Sequence, residues 1–213
     1  MILYLARFTF AAIVAAFCLL PATGGSAQAQ AEWMNAVRSG GYVIVFRHGA
    51  THQDQADTDP LHPENVDKQR QLNDQGRALA RSIGDSIRKL KIPVGQVHSS
   101  VFNRAVETGK LLGFGDVKSS LDFAEGGLVV TPIENTRRAQ ALRKFAATVP
   151  PAGTNVILVT HKPNILDAFG KDWFEVKEGE ASVFKPDGKG GYQVVARLQA
   201  DQWAVLASKF AKK

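Results

Sequence analysis

The sequence predicts an α/β fold, a three-layer sandwich in which a mostly parallel central sheet carries helices on both faces and a C-terminal hairpin completes it. Three observations lead there. Two apolar runs, Val43-Ile44-Val45-Phe46 and Val156-Ile157-Leu158-Val159, are rich in β-branched residues and do not alternate with polar ones. That is the pattern of strands buried on both faces. Segments of helical periodicity lie between them, which is the order that builds parallel sheets. Near the C-terminus two alternating runs, Ser182 to Lys185 and Tyr192 to Leu198, bracket Pro186-Asp187-Gly188 and read as a hairpin.

The elements follow from the punctuation. Ala31 to Arg38 reads as a short opening helix with Trp33 packing inward, followed by a strand from Tyr42 to Phe46. Thr51 to Arg70 is polar, contains Pro60 and Pro63, and reads as a long loop; loops of this length in compact domains often bind ligands. Asn73 suits the N-cap of a helix running to about Leu90, with Leu79, Ile83, Ile87 and Leu90 on its inner face. A short strand around Val97 gives way to a helix from Arg104 to Leu112, ended near Gly113. Asn135 to Ala147 forms another helix, closed by Pro150-Pro151, and its Arg137, Arg138, Arg143 and Lys144 read as a solvated face. After the second apolar run, Pro163 to Phe169 is a short helix.

The N-terminus sets an address. Met1 to Ala29 has the layout of a secretory signal peptide: Arg7 ahead of an apolar stretch from Phe8 to Leu20, then Ala27-Gln28-Ala29 as a small-residue cleavage site. The apolar stretch is short for a membrane span, and a retained anchor is the alternative. Removing 29 of the 213 residues leaves 184, enough for one domain with a sizeable core, here 30–213. The lone cysteine, Cys18, leaves with the signal. The mature chain then has no disulfide, no thiol catalysis and no cysteine–zinc site. This predicts a periplasmic or secreted protein without stable membrane insertion. The net charge of +6 drops by one with Arg7. Such modest basicity suits an acidic small molecule, and no basic run with interleaved aromatics marks a nucleic-acid surface. Oligomeric state is not written in the sequence.

Chemistry concentrates where the apolar runs end. The first ends in Arg47-His48-Gly49 and the second in Thr160-His161. Between them, Ser99-Ser100-Val101-Phe102-Asn103-Arg104-Ala105-Val106-Glu107-Thr108 carries another arginine into the first turns of a helix. Ligands in open α/β sheets bind at the carboxyl ends of strands. Two histidines and two arginines delivered there suit a phosphate, whose oxygens match the planar donor fork of arginine. A histidine flanked by fixed cations is also a competent nucleophile. Each short motif alone carries little weight, because tripeptides recur by chance; the ordered set carries much more.

That ordered set resembles the histidine phosphatase superfamily, in its smaller, phosphoglycerate mutase-like branch. Arg47-His48-Gly49 matches the family's opening motif. Ser99, Ser100, Arg104, Ala105 and Thr108 match its second, Leu72 to Gly76 its helix opening, and His161 its late histidine. The likeness runs from about Gly41 to about Leu166. It implies two-step phosphoryl transfer from a small phosphorylated substrate such as a metabolite or sugar phosphate. His48 would be the nucleophile. Arg47, Arg104 and His161 would hold the phosphoryl oxygens, with Thr51 at the substrate. Neither metal nor other cofactor is implied, because the arginines supply the positive charge. A carboxylic acid must protonate the leaving oxygen; Glu125 is the first choice, Glu134 the second and Asp122 the third. Lys162 stands where the larger branch carries its acid. Asp54 replaces the family's asparagine six residues after the nucleophile, so the pocket mouth is expected to differ. A non-hydrolytic phosphate-binding or regulatory protein on the same fold is the alternative function. Glu107 is either a site residue or a surface carboxylate paired with Arg104 or Lys110. His98 is a candidate for support behind the site, and His52 and His62 read as solvated.

Overall fold

The structure, a computed structural model, describes residues 32–126 and 130–210. The signal peptide read over residues 1–29, its cleavage point and Cys18 lie outside them.

Among the described residues one sheet runs through the molecule. Its strands are β1 (Val43–Arg47), β2 (Val94–Ser100), β3 (Val117–Ser120), β4 (Asn155–Thr160), β5 (Ala181–Pro186) and β6 (Tyr192–Leu198). Their order is β3-β2-β4-β1-β5-β6. The first four in that order are mutually parallel. β5 and β6 add antiparallel pairs as the expected hairpin, so the sheet is mostly parallel, as the apolar runs predict. The hairpin turn is held by Asp187, whose carboxylate accepts from the backbone N–H groups of Lys189 and Gly191.

Helices cover both faces. They are α1 (residues 32–38), α2 (Asp74–Lys89), α3 (Asn103–Leu112), α4 (Pro132–Ala146), α5 (Lys162–Phe169) and α6 (Gln202–Phe210). The unbroken apolar runs now have their reason. Ile44 and Phe46 of β1 pack with Ile83, Ile87, Leu112 and Trp203 on one face. Val43 and Val45 pack with Leu142, Ile165 and Phe184 on the other. Alternate side chains of one strand thus enter two cores.

Several elements depart from the sequence reading. In α1 Trp33 packs against the core as expected but is only half-buried, and the fully buried residues are Met34 and Val37. α4 begins at Pro132, not Asn135, because Thr131 caps it by accepting from the Glu134 N–H at 3.2 Å. Its Arg138 is not solvated: it is buried and donates to the carbonyl of Ala124 and the carboxylate of Glu134. Arg143 is half-buried and donates to the carbonyls of Asp167 and Ala168. Strand β3 and helix α6 were not legible in the sequence. α6 is anchored by Trp203, fully buried and stacked 6.0 Å from Phe46.

The start of α2 is clamped against the loop that follows β1. Asn73 caps the helix by accepting from the Gly76 N–H at 2.8 Å, and its amide donates to the Thr51 carbonyl at 3.1 Å. The backbones touch so closely that a Cβ on Gly76 would lie 2.1 Å from the Ala50 carbonyl oxygen. Only glycine permits that approach, and it holds the segment after Arg47 in place.

Candidate active site

Three neighbouring parallel strands, β1, β4 and β2, end at one edge. Arg47 pairs with Thr160, and Ser99 with Val159. His48, His161 and Ser100 therefore emerge side by side, at the spacing of adjacent strands, roughly 4.8 Å. The ring centroids of His48 and His161 are 5.2 Å apart.

His48 is fixed from several directions. Its backbone N–H extends the β1–β4 ladder to the Thr160 carbonyl at 3.0 Å. The following N–H, of Gly49, donates to Thr108 Oγ1 at 3.1 Å, and that hydroxyl donates to the Arg104 carbonyl at 2.7 Å. One threonine on α3 thus ties the His48 loop to the Arg104 turn. The ring Nδ1 lies 2.8 Å from the Gly49 carbonyl, which can only accept, so Nδ1 carries the proton and Nε2 keeps a lone pair. Burial pushes the His48 pKa well below its ordinary value, and the nearby His161 ring, Arg104 and Arg47 push the same way. The imidazole is neutral at physiological pH, which a nucleophile requires.

His161 is also buried. Its Nε2 meets Ser100 Oγ at 2.7 Å, and its Nδ1 lies 3.2 Å from Glu125 Oε1. Phe102 packs edge-on against its ring, with centroids 5.6 Å apart.

Arg104 has no exposed surface, yet three of its bonds are made to carboxylates. Nη1 and Nη2 donate to the two oxygens of Asp57 at 3.0 and 3.1 Å, and Nη2 also pairs with Glu125. Arg47 donates to the Val176 carbonyl at 2.9 Å and pairs with Glu178 at 3.3 Å. Arg47 Nε, Arg104 Nε and Thr51 Oγ1 are buried without a hydrogen-bond partner. Unsatisfied buried donors are costly and rare in folded proteins. Arg47 and Arg104 both act electrostatically on the neutral His48, and with donors left free they can serve as a cradle for an oxyanion.

Glu125, the first-choice acid, lies in this site, whereas the other two do not. Glu134 is bound by Arg137 and Arg138, and Asp122 by Arg137. Burial alone would push the Glu125 carboxyl up, but His161 and Arg104 outweigh it and hold it well below the usual carboxylate range. Burial lowers the His161 pKa against the pull of Glu125, so the permanent charge beside Glu125 is that of Arg104. Glu125 is therefore ionised in the free site.

Other candidates fall elsewhere. Glu107 pairs with Arg77 at 2.7 Å, not with Arg104 or Lys110. His98 sits against Phe145 and bonds Gln96, so it packs with the core and lends the site no support. His62 is exposed and paired with Glu64, and His52 is half-buried. Asp54 is exposed, and the carboxylate that reaches the cradle is Asp57, three residues on. Sequence reading missed Asp57 because nothing local marks one loop aspartate over another. Among the described residues no group of three or more His, Cys, Asp or Glu side chains is disposed to hold a metal ion.

No known family profile matches the chain, and no curated protein matches it by sequence. Solved structures do. The protein histidine phosphatase SixA, determined with tungstate, superposes with a TM-score of 0.53 at 18% identity, over 76% of this chain and 98% of SixA. YhfR of Bacillus stearothermophilus gives 0.53 at 16% identity, over 72% of this chain and 94% of its own. A phosphoserine phosphatase of Entamoeba histolytica, determined with 3-phosphoglyceric acid, gives 0.50 at 15% identity, over 74% and 96%. The chain has the phosphoglycerate mutase-like fold of the histidine phosphatases.

Asp57 occupies the donors that a phosphate needs. The variant Asp57→Asn is expected to bind inorganic phosphate more tightly, by about tenfold, since charge-assisted bonds contribute roughly 1.5–3 kcal/mol and 1.4 kcal/mol is tenfold. Isothermal titration calorimetry measures this. Unchanged or weaker binding would show that Asp57 does not compete for Arg104.

Proposed function

We propose that this protein is a phosphatase that hydrolyses a small phosphomonoester through a phosphohistidine on His48. The observation that carries this reading is a buried, neutral His48 that keeps its Nε2 lone pair within the electrostatic reach of two buried or half-buried arginines, Arg47 and Arg104. Support comes also from fold-mates that are phosphatases, one determined with the oxyanion tungstate.

The chemistry then runs in two steps. His48 Nε2 attacks phosphorus as the bond from phosphorus to the leaving oxygen breaks. The Gly49 carbonyl steadies the charge that appears on the imidazole. The cradle's cations stabilise the equatorial oxygens, which is most of what phosphoryl transfer asks of a protein. The leaving oxygen takes a proton from Glu125. Water then attacks the phosphohistidine, returns a proton to Glu125, and releases phosphate with His48 neutral again. The residues that act are all supplied by this chain, and we propose that turnover requires no metal.

Rapid quench of a turnover mixture, followed by mass spectrometry, is expected to find acid-labile phosphate on His48. His48→Ala should abolish phosphate release, while EDTA should leave the wild-type rate intact. Phosphate on Ser99 or Ser100, with His48→Ala active, would overturn the mechanism.

Because Glu125 is ionised in the free site, its proton must arrive with the substrate. A phosphomonoester has a second pKa of about 6, and its monoanion brings that proton. For an alkyl phosphate, kcat/KM is expected to be highest at and below pH ~6 and to fall about tenfold per unit above it, tracking that ionisation. His48 imposes no acid limb near 6.5, since its pKa lies well below that value. Glu125→Gln should lower alkyl-phosphate turnover by about a hundred- to ten-thousandfold and spare an activated aryl phosphate, whose oxygen departs unaided. An unchanged alkyl rate would remove Glu125 from the acid role. A phosphate-binding protein without turnover is the second reading, favoured by the two carboxylates already seated on Arg104. It predicts no phosphate release from any ester.

We further propose export with cleavage after Ala29, which rests on the sequence of residues 1–29. Mature protein from the periplasm is expected to begin at Gln30 on N-terminal sequencing, and an intact Met1 on membrane-bound protein would refute it.

A further inference from the structure

A cleft of about 200 Å³ opens beside the cradle. Its walls are Pro60, Leu61 and Pro63 from the long loop, Phe102 from the turn before α3, and Leu121 and Val130. Glu125 lines it as well. Two residues therefore belong to both cleft and cradle. Glu125 pairs with Arg104, and its Oε1 lies 3.2 Å from His161 Nδ1. Phe102 lies under the Arg104 guanidinium, 4.7 Å from ring centroid to Cζ, while its edge meets His161.

We infer that this cleft receives the leaving group of the substrate, and that the substrate is a phosphomonoester of an apolar alcohol about one ring in size. The inference rests on the phosphatase reading above and narrows it, away from sugar phosphates.

The rim is apolar where solvent would favour polar residues. Leu61 is 69% exposed and Leu121 54% exposed, and both line the cleft. Exposed apolar groups gathered at a cleft mark a binding surface more often than chance does. A polyhydroxylated leaving group needs free hydrogen-bonding side chains. The two charged residues of the wall are already engaged: Arg138 with Glu134 and two backbone carbonyls, Glu125 with Arg104 and His161. The size fits too, since a dry cavity of roughly 150 Å³ is enough for benzene.

The cleft is also built in advance. Gln69 is buried, donates to the Pro63 carbonyl at 2.6 Å and accepts from the Asn103 N–H at 2.6 Å. Gln71 accepts from the Asn103 amide at 2.6 Å. The loop wall is thereby fastened to the helix that carries Arg104. Pro60 and Pro63 restrict it further.

The test compares benzyl phosphate with glycerol 3-phosphate, both esters of primary alcohols, so departure of the oxygen is closely matched. Wild type is expected to favour benzyl phosphate in kcat/KM by about tenfold or more, the scale of apolar-pocket discrimination. Leu61→Asn and Leu121→Asn, both at exposed positions, should erase most of that preference by lowering kcat/KM for benzyl phosphate about tenfold more than for glycerol 3-phosphate. Equal or reversed preference, or equal losses on both substrates, would overturn the inference while leaving the phosphatase reading intact. A second arm measures binding of benzylphosphonate against methylphosphonate by calorimetry. If no ester is hydrolysed, the phosphatase reading fails. The cleft assignment then stands only if benzylphosphonate binds about tenfold tighter and Leu61→Asn removes the difference. Equal binding of the two phosphonates would overturn it.

Discussion

A guanidinium with no exposed surface must find its counter-charges inside the protein, and Arg104 does so twice. Leaving a buried charge unpaired costs several kcal/mol, so the folding chain is obliged to bring Asp57 and Glu125 to it. Asp57 arrives from the long loop after β1, and Glu125 from the segment after β3. One buried cation thereby gathers the two irregular stretches that the sheet does not control. The same cation sits over Phe102, keeps Glu125 ionised and helps hold His48 neutral. His48 is held neutral chiefly by its own burial, and Arg104 adds to that push.

The sheet supplies the remaining order. Parallel pairing of β1 with β4, and of β4 with β2, delivers His48, His161 and Ser100 to one edge with strand spacing between them. Sub-ångström adjustment falls to hydroxyls. Thr108 accepts from Gly49 and donates to the Arg104 carbonyl, and Ser100 reaches His161. These bonds explain why short polar residues stand at positions where a buried strand or helix would otherwise carry apolar ones.

The positive charge of the cradle is matched by carboxylates, Asp57 and Glu125 on Arg104 and Glu178 on Arg47. The loop that carries Asp57 also carries Pro60, Leu61 and Pro63, so the segment that guards the phosphate donors also walls the neighbouring cleft.

The sequence by itself determined the layers, the parallel core and the place of His48 and His161 at the strand ends. Apolar runs buried on both faces have no other economical placement than the centre of an α/β sheet, and the residues at their ends inherit the site. Asn73 was legible as a cap because capping is a local demand, whereas the close approach of Gly76 to Ala50 belongs to the tertiary structure. Tertiary structure alone decided the rest. Nothing within a few residues of Arg138 says that its guanidinium turns inward to the Ala124 carbonyl, or that Glu107 meets Arg77 from another helix. α6 is set by a tryptophan that finds Phe46 across more than half of the chain. Asp57 and Asp54 are equivalent as sequence; only the loop's path, fastened through Gln69 to α3, gives one of them to Arg104. Pairings between distant residues depend on where the backbone runs in space, and that is a property of the packed whole.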